Sequence, residues 1–139
     1  MSIDQRWPLQ QAVFARLSER LVSEGLNGED VPVFDHVPSH APRLHVRIDG
    51  FSIVPGTTGK GRRDKHQFLA HVFDDNTGDM TGVGTGEIAR LQTIVVGALE
   101  DWSPLNGATG ITHIRTNSAQ YEDPLSQHGI SRFSTMIGV

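Results

Sequence analysis

The sequence contains no cysteine, which excludes a disulfide framework and any thiolate-held metal. It also lacks the cation surplus of a nucleic-acid binder: 12 lysines and arginines stand against 16 aspartates and glutamates, a formal charge of −4, whereas phosphate binding needs a net or local excess of bases. The local excess that does occur is confined to Lys60, Arg62, Arg63 and Lys65. There is no apolar run of about eighteen residues to cross a membrane, and the N-terminus lacks the charged-then-apolar pattern of a signal peptide. The expectation is a soluble protein made in the cytoplasm. Glycine and proline are plentiful, 15 and 7, and fall mostly between the periodic segments, the pattern of a loop-rich but folded chain. Its 139 residues suffice for one core, so residues 1–139 are read as a single domain.

The strongest periodicity lies in residues 85–102. Ile88, Leu91, Val95, Ala98 and Trp102 follow at steps of three and four, the repeat of one helical face. Ile94 and Leu99 widen that stripe, while Arg90 and Gln92 point away from it. Thr85 can cap the start, Glu87 suits the first turn, and Ser103 with Pro104 ends the helix. A second helix is predicted from Pro8 to about residue 24, with Leu9, Val13, Leu17 and Leu21 on the buried side. Ala12, Phe14 and Val22 lie beside that stripe, and Arg16, Glu19 and Arg20 are expected on the wet side, with Gly25 closing the helix.

Strand signals come between and after the helices. Residues 31–37 form a short extended run that Pro32 confines to an edge or a strand start. Residues 43–51 alternate, with Leu44, Val46 and Ile48 on one face and His45, Arg47 and Asp49 on the other; the alternation slips at Gly50 and Phe51, as at a bulge. Residues 55–64 hold glycines, threonines and bases without an apolar anchor, so a mobile loop is expected. In residues 65–74, Phe68, Ala70 and Val72 share one face while Leu69 and Phe73 occupy the other, which predicts a central strand or one whose outer face a partner covers. Residues 111–121 and 128–137 complete the strands. The resulting fold class is α+β: a mostly antiparallel mixed sheet of about four to five strands, with two main helices packed on one face.

No motif for chemistry survives its own requirements. Residues 54–61 approach a phosphate-cradling loop, but the required glycine is Val54 and the required hydroxyl is Gly61. Gly82, Gly84 and Gly86 precede a helix at the wrong spacing for a dinucleotide loop. His36 and His40 have ligand spacing only on a helix, which Pro38 forbids, and His66 and His71 point to opposite strand faces. The seven histidines therefore read as scattered surface residues. There is no nucleophile elbow, and Asp74, Asp75 and Asn76 lack the ligand ladder of a calcium loop. The basic stretch from Lys60 to Arg63 is either a solvated connector or an arm that orders against an acidic protein surface or nearby DNA.

Taken in order, residues 8–17, 33–38, 41–50, 66–73 and 87–99, with 121–123 and 128–133, resemble the tail-completion, or tail terminator (tail-to-head joining), family of long-tailed bacteriophages and gene transfer agents. The glycine-rich residues 78–86 and Arg43 depart from that pattern. The resemblance implies a structural virion protein without catalysis or cofactor. It implies a hexameric ring at the head-proximal end of the tail tube that terminates tail polymerisation and joins the tail to the head connector. Its partners would be further copies of itself, the head-connector stopper protein and the tail tube protein, with DNA passing through the channel without specific binding and no membrane involved. Such a protein is made in the host cytoplasm and resides in the virion tail. A cyclic ring sets one patch of each subunit against a different patch of the next. Leu69 and Phe73 are the candidates for that patch, with Gly56, Thr57, Thr58, Lys60, Arg62 and Arg63 reaching toward a neighbour. Two readings of other classes stand beside it: a ligand-binding domain or enzyme built on the histidines, and a small cytoplasmic adaptor using the basic arm.

Overall fold

Helix α1 spans Arg6–Ser23 in the computed structural model, which describes residues 4–23, 31–36, 38–39, 44–58, 61–75, 86–120 and 126–138. Leu9, Val13, Leu17 and Leu21 are fully buried, as their four-residue spacing requires. The helix starts two residues ahead of Pro8 because Asp4 supplies a cap. Its Oδ1 accepts the Arg6 backbone N–H at 2.9 Å, and its Oδ2 pairs with the Arg6 guanidinium at 2.7 Å. Those contacts hold the Asp4 carboxyl at about 2, well below its ordinary value. Pro8 falls inside the first turn, where amide groups lack intrahelical partners anyway. Gly25, read as the closing residue, lies outside the described residues.

Two side chains of α1 depart from expectation. Phe14 is 40% exposed and does not flank the core. Arg16 is not on the wet side: its Nε donates to the Ala98 carbonyl at 2.9 Å, and its guanidinium lies 5.2 Å from the Trp102 ring centroid. A cation there meets the partial negative charge at the C-terminal end of the second helix.

That helix, α2, spans Gly86–Leu99. Ile88, Leu91, Val95 and Ala98 are fully buried. It ends before Trp102, and before Ser103 and Pro104 can act. Asp101 takes a left-handed φ of 63°, its N–H donates to the Ile111 carbonyl at 2.9 Å, and the Ile111 N–H returns to the Trp102 carbonyl at 2.9 Å. The chain there pairs with Ile111 instead of coiling on, so Trp102 reaches the core edge from outside the helix. Thr85 lies outside the described residues. Gln92, expected to face water, is buried, and its Nε2 donates to the Asn117 carbonyl at 2.8 Å.

The sheet under these helices runs β1-β2-β4-β6-β5, with β3 beside it on β4. β1 (Val33–Phe34) pairs in parallel with β2 (Leu44–Val54); the other pairs are antiparallel. The extended run around Pro32 is indeed an edge strand. β4 (Gly61–Asp75) is central, as its two apolar faces imply, and β6 (Ser126–Gly138) and β5 (Thr112–Gln120) complete the layer. The register of β2 shifts between Asp49 and Ser52, with Gly50 at φ 67°. The bulge turns Phe51 back toward the helices, where it stacks on Phe68 at 5.2 Å. Val46, Ile48, Phe68, Ala70, Val72 and Phe133 form the covered face together with the two helical stripes. This is the expected α+β arrangement of two helices on one face of a mixed, mostly antiparallel sheet.

The segment expected to be an unanchored loop is a hairpin in its described parts. β3 (Thr57–Thr58) pairs with Gly61 and Arg62, so β4 begins four residues earlier than residue 65. Asp64 holds the base: it is buried, and its Oδ1 accepts the Gly56 N–H at 3.3 Å. A Cβ on Gly56 would stand 2.5 Å from the Arg63 carbonyl oxygen, so only glycine permits this approach.

Candidate functional site

Both helices lie on one side of the sheet, so the odd-numbered positions of β4 and the even-numbered positions of β6 face away from them. Across this open face the register sets side chains in rows. His45, Phe73 and His128 form one; Arg47, His71, Ile130 and Asn117 the next; Asp49, Leu69, Arg132 and Arg115 the third. Lys65 pairs with Met136, and Arg63 with Gly138.

The first two rows condense into an aromatic and imidazole cluster. Phe73 stacks on His45 at 4.9 Å and on His128 at 4.5 Å, and Arg47 lies 5.3 Å from its centroid. His71 Nε2 stands 2.7 Å from Asp49 Oδ1, and His71 Nδ1 stands 2.8 Å from His128 Nε2. A carboxylate can only accept, so His71 Nε2 carries a proton; with His71 neutral, His128 Nε2 then donates to its Nδ1. Arg47 Nε lies 3.0 Å from Asp49 Oδ2, near enough for an ion pair but off the line of a hydrogen bond. The expectation of scattered surface histidines is therefore corrected: His45, His66 and His71 are buried, and the register gathers His45, His71 and His128 around Phe73.

Of three grooves lined by described residues, of ≈ 560, ≈ 360 and ≈ 500 Å³, the first has Asp49 in its wall, and none has His71 or His128. Among the described residues no three His, Cys, Asp or Glu side chains converge as metal ligands.

The cluster does leave a titration signature. Burial of the His128 ring, then the positive charges of His71 and Arg47, lower its pKa to about 4, against the opposing pull of Asp49. An unfolded His128 takes up its proton near 6.5, whereas the folded one resists until about 4. Stability is thus complete above the unfolded value and declines as pH falls from 6.5 toward 4. Discounted for the half-exposed ring, the expected loss is about 1–2 kcal/mol. Urea unfolding at about pH 7 and about pH 4.5 should show a smaller difference for His128→Gln than for the unaltered protein.

The residues singled out for contact with neighbours are dispersed along this face. Leu69 is half-buried over Gly50, where a Cβ would stand 3.1 Å from its Cδ1. Phe73 is engaged inside the molecule by its stacked rings. Gly56, Thr57, Thr58 and Arg62 belong to the hairpin, Arg63 is exposed beside Gly138, and Lys60 lies outside the described residues. Pattern reading missed two features. One is Arg115 directly opposite Arg132, visible only once β5 and β6 are in register. The other is the pair Trp7 and Phe14, 60% and 40% exposed, on the solvent side of α1; their seven-residue spacing was the available signal.

Neither a family model nor a curated protein sequence matches the chain. A solved structure does: a chain of the native gene transfer agent virion particle aligns with a TM-score of 0.70, covering 94% of this chain and 98% of that one at 16% identity. The two chains share one fold. The likeness runs nearly end to end in both.

Proposed function

We propose that this chain is a structural subunit of a phage-like particle, forming the ring at the head-proximal end of a tail tube. The observation that carries the reading is the end-to-end fold likeness to a chain of a gene transfer agent virion. It agrees with the family resemblance drawn from the ordered sequence stretches. In this reading six copies close into a ring, the tail tube protein lies on one side, and the stopper protein of the head connector lies on the other. The tube stops growing because the ring's far surface does not repeat the surface that tube subunits add to. DNA passes through the channel unread, in keeping with a formal charge of −4 on each copy.

The open sheet face is the natural contact, since Leu69 on a central strand is only half-buried there. The hairpin from Gly56 to Arg63 extends the same strand toward a neighbour. Negative-stain images of the purified protein should show rings with a central hole. Leu69→Asp should replace them with single small particles while unfolding free energy changes by about 1 kcal/mol or less. A field of lone globules from the unaltered protein at every concentration overturns the proposal.

A further inference from the structure

The charges of this chain are not mixed evenly over its surface. By register position the open sheet face carries five bases, Arg47, Arg63, Lys65, Arg115 and Arg132, and two acids, Asp75 at the end of β4 and Asp49, which already faces both Arg47 and His71. The remainder of the chain then holds fourteen acids and seven bases, from totals of 16 and 12. Toward the β5 edge of the face Arg115 stands directly across from Arg132, with Leu69 on the other side of Arg132. Like charges set opposite each other on paired strands destabilise the sheet. Arg115 reaches the Asn117 side-chain oxygen at 3.1 Å, and among the described residues neither arginine meets a carboxylate.

Over the β1 end of the sheet, α1 presents the reverse chemistry. Trp7 and Phe14 flank a groove of ≈ 360 Å³ whose rim includes the exposed carboxylate of Asp35. Guanidinium groups bind aromatic faces and carboxylates together, and Trp with Arg is the pairing that anchors protein interfaces. The α1 patch lies at the β1 end of the sheet, whereas Arg132 and Arg115 lie on β6 and β5 at its other end, so the two patches meet only between molecules.

We infer that the basic sheet face around Arg115, Arg132 and Leu69 receives the α1 patch of Trp7, Phe14 and Asp35 from a second copy of this chain. The contact is head-to-tail. A face-to-face pairing would bring arginines against arginines, whereas two different patches per subunit give the heterologous contact that closes a ring. This inference rests on the ring reading and names the surfaces that make it.

Two variants of the full chain test it, each first checked for an unchanged circular dichroism spectrum. R115E/R132E makes both patches acidic, and Asp35→Arg makes both basic. Each alone should remain monomeric in sedimentation velocity under conditions where the unaltered protein assembles. Mixed in equal amounts they should assemble again, because every contact then joins an acidic patch to a basic one. Trp7 should report the same event by a blue shift in emission that is absent from Trp7→Phe. If the parent assembles and R115E/R132E assembles equally well, the inference is overturned and the ring reading stands. Folded variants that stay monomeric when mixed overturn it too, as does an R115E/R132E protein that loses only retention on duplex DNA. A parent that never assembles overturns both.

Discussion

Phe68→Ala is expected to destabilise the protein by about 3–5 kcal/mol, the range for truncating a buried phenylalanine. Phe68 is fully buried on the central strand, stacked 5.2 Å from Phe51 on one side and 5.3 Å from Phe133 on the other. Truncation removes the middle ring of three and leaves a void between neighbours fixed by strand register on β2 and β6. They cannot close it without moving the sheet. Domains of this size have about 5–15 kcal/mol in hand, so the variant sits near the edge of folding. Chemical denaturation measures the loss, with Phe14→Ala on the exposed side of α1 as the control that should lose little.

Gly129→Ala should cost about 1–3 kcal/mol through overpacking, and more if the Gln92 bond is also lost. A Cβ on Gly129 would stand 2.2 Å from Gln92 Nε2, 2.6 Å from its Cδ and 2.9 Å from Ile88 Cγ2. Helix α2 comes this close to β6 because the strand has no side chain there. The Gln92 amide fills the space and donates to the Asn117 carbonyl of β5, so one side chain ties α2 across two strands. Forcing Gln92 aside strands a buried amide, which adds its own penalty. The double variant Gln92→Ala/Gly129→Ala should recover most of the loss, since the added methyl then occupies the vacated volume. A Gly129→Ala protein as stable as the parent would mean that α2 does not rest on β6 in this way.

Gly129 and Gln92 also show where sequence reading stops. The stripe of Ile88, Leu91, Val95 and Ala98 was legible because helical periodicity is local. The central strand was legible because Leu69 and Phe73 put apolar groups on its second face. The bulge at Gly50 showed itself as a slip in alternation. Gln92, Arg16 and Phe14 were misplaced because polarity alone does not reveal a carbonyl waiting on another strand, a helix end to neutralise or an uncovered side of a helix. The Pro55 to Asp64 segment has no apolar anchor; its anchor is Asp64, a polar residue whose partner, Gly56, is known only after the hairpin forms.

The candidate site divides the same way. Leu69 and Phe73 were correctly placed on the outer face of a central strand. That Phe73 is enclosed by His45 and His128, and that Asp49, His71 and His128 form a chain, depends on pairing between strands 57 residues apart in the case of the two histidines. The Arg115 and Arg132 pair likewise needs the β5–β6 register, including its shift between His113 and Arg115. Side-chain period identifies faces; only the fold identifies neighbours on a face.

Because the chain lacks cysteine, a single introduced thiol reports one position without interference. Gln67→Cys places it on the open sheet face between Lys65 and Leu69, and Gln11→Cys on the exposed side of α1. The expected result is that Gln67→Cys reacts with a thiol reagent several-fold more slowly as concentration rises and subunits associate, as a covered surface must. A Gln67→Cys thiol that labels as fast in concentrated protein as in dilute protein would contradict the claim that copies of this chain complete its open face.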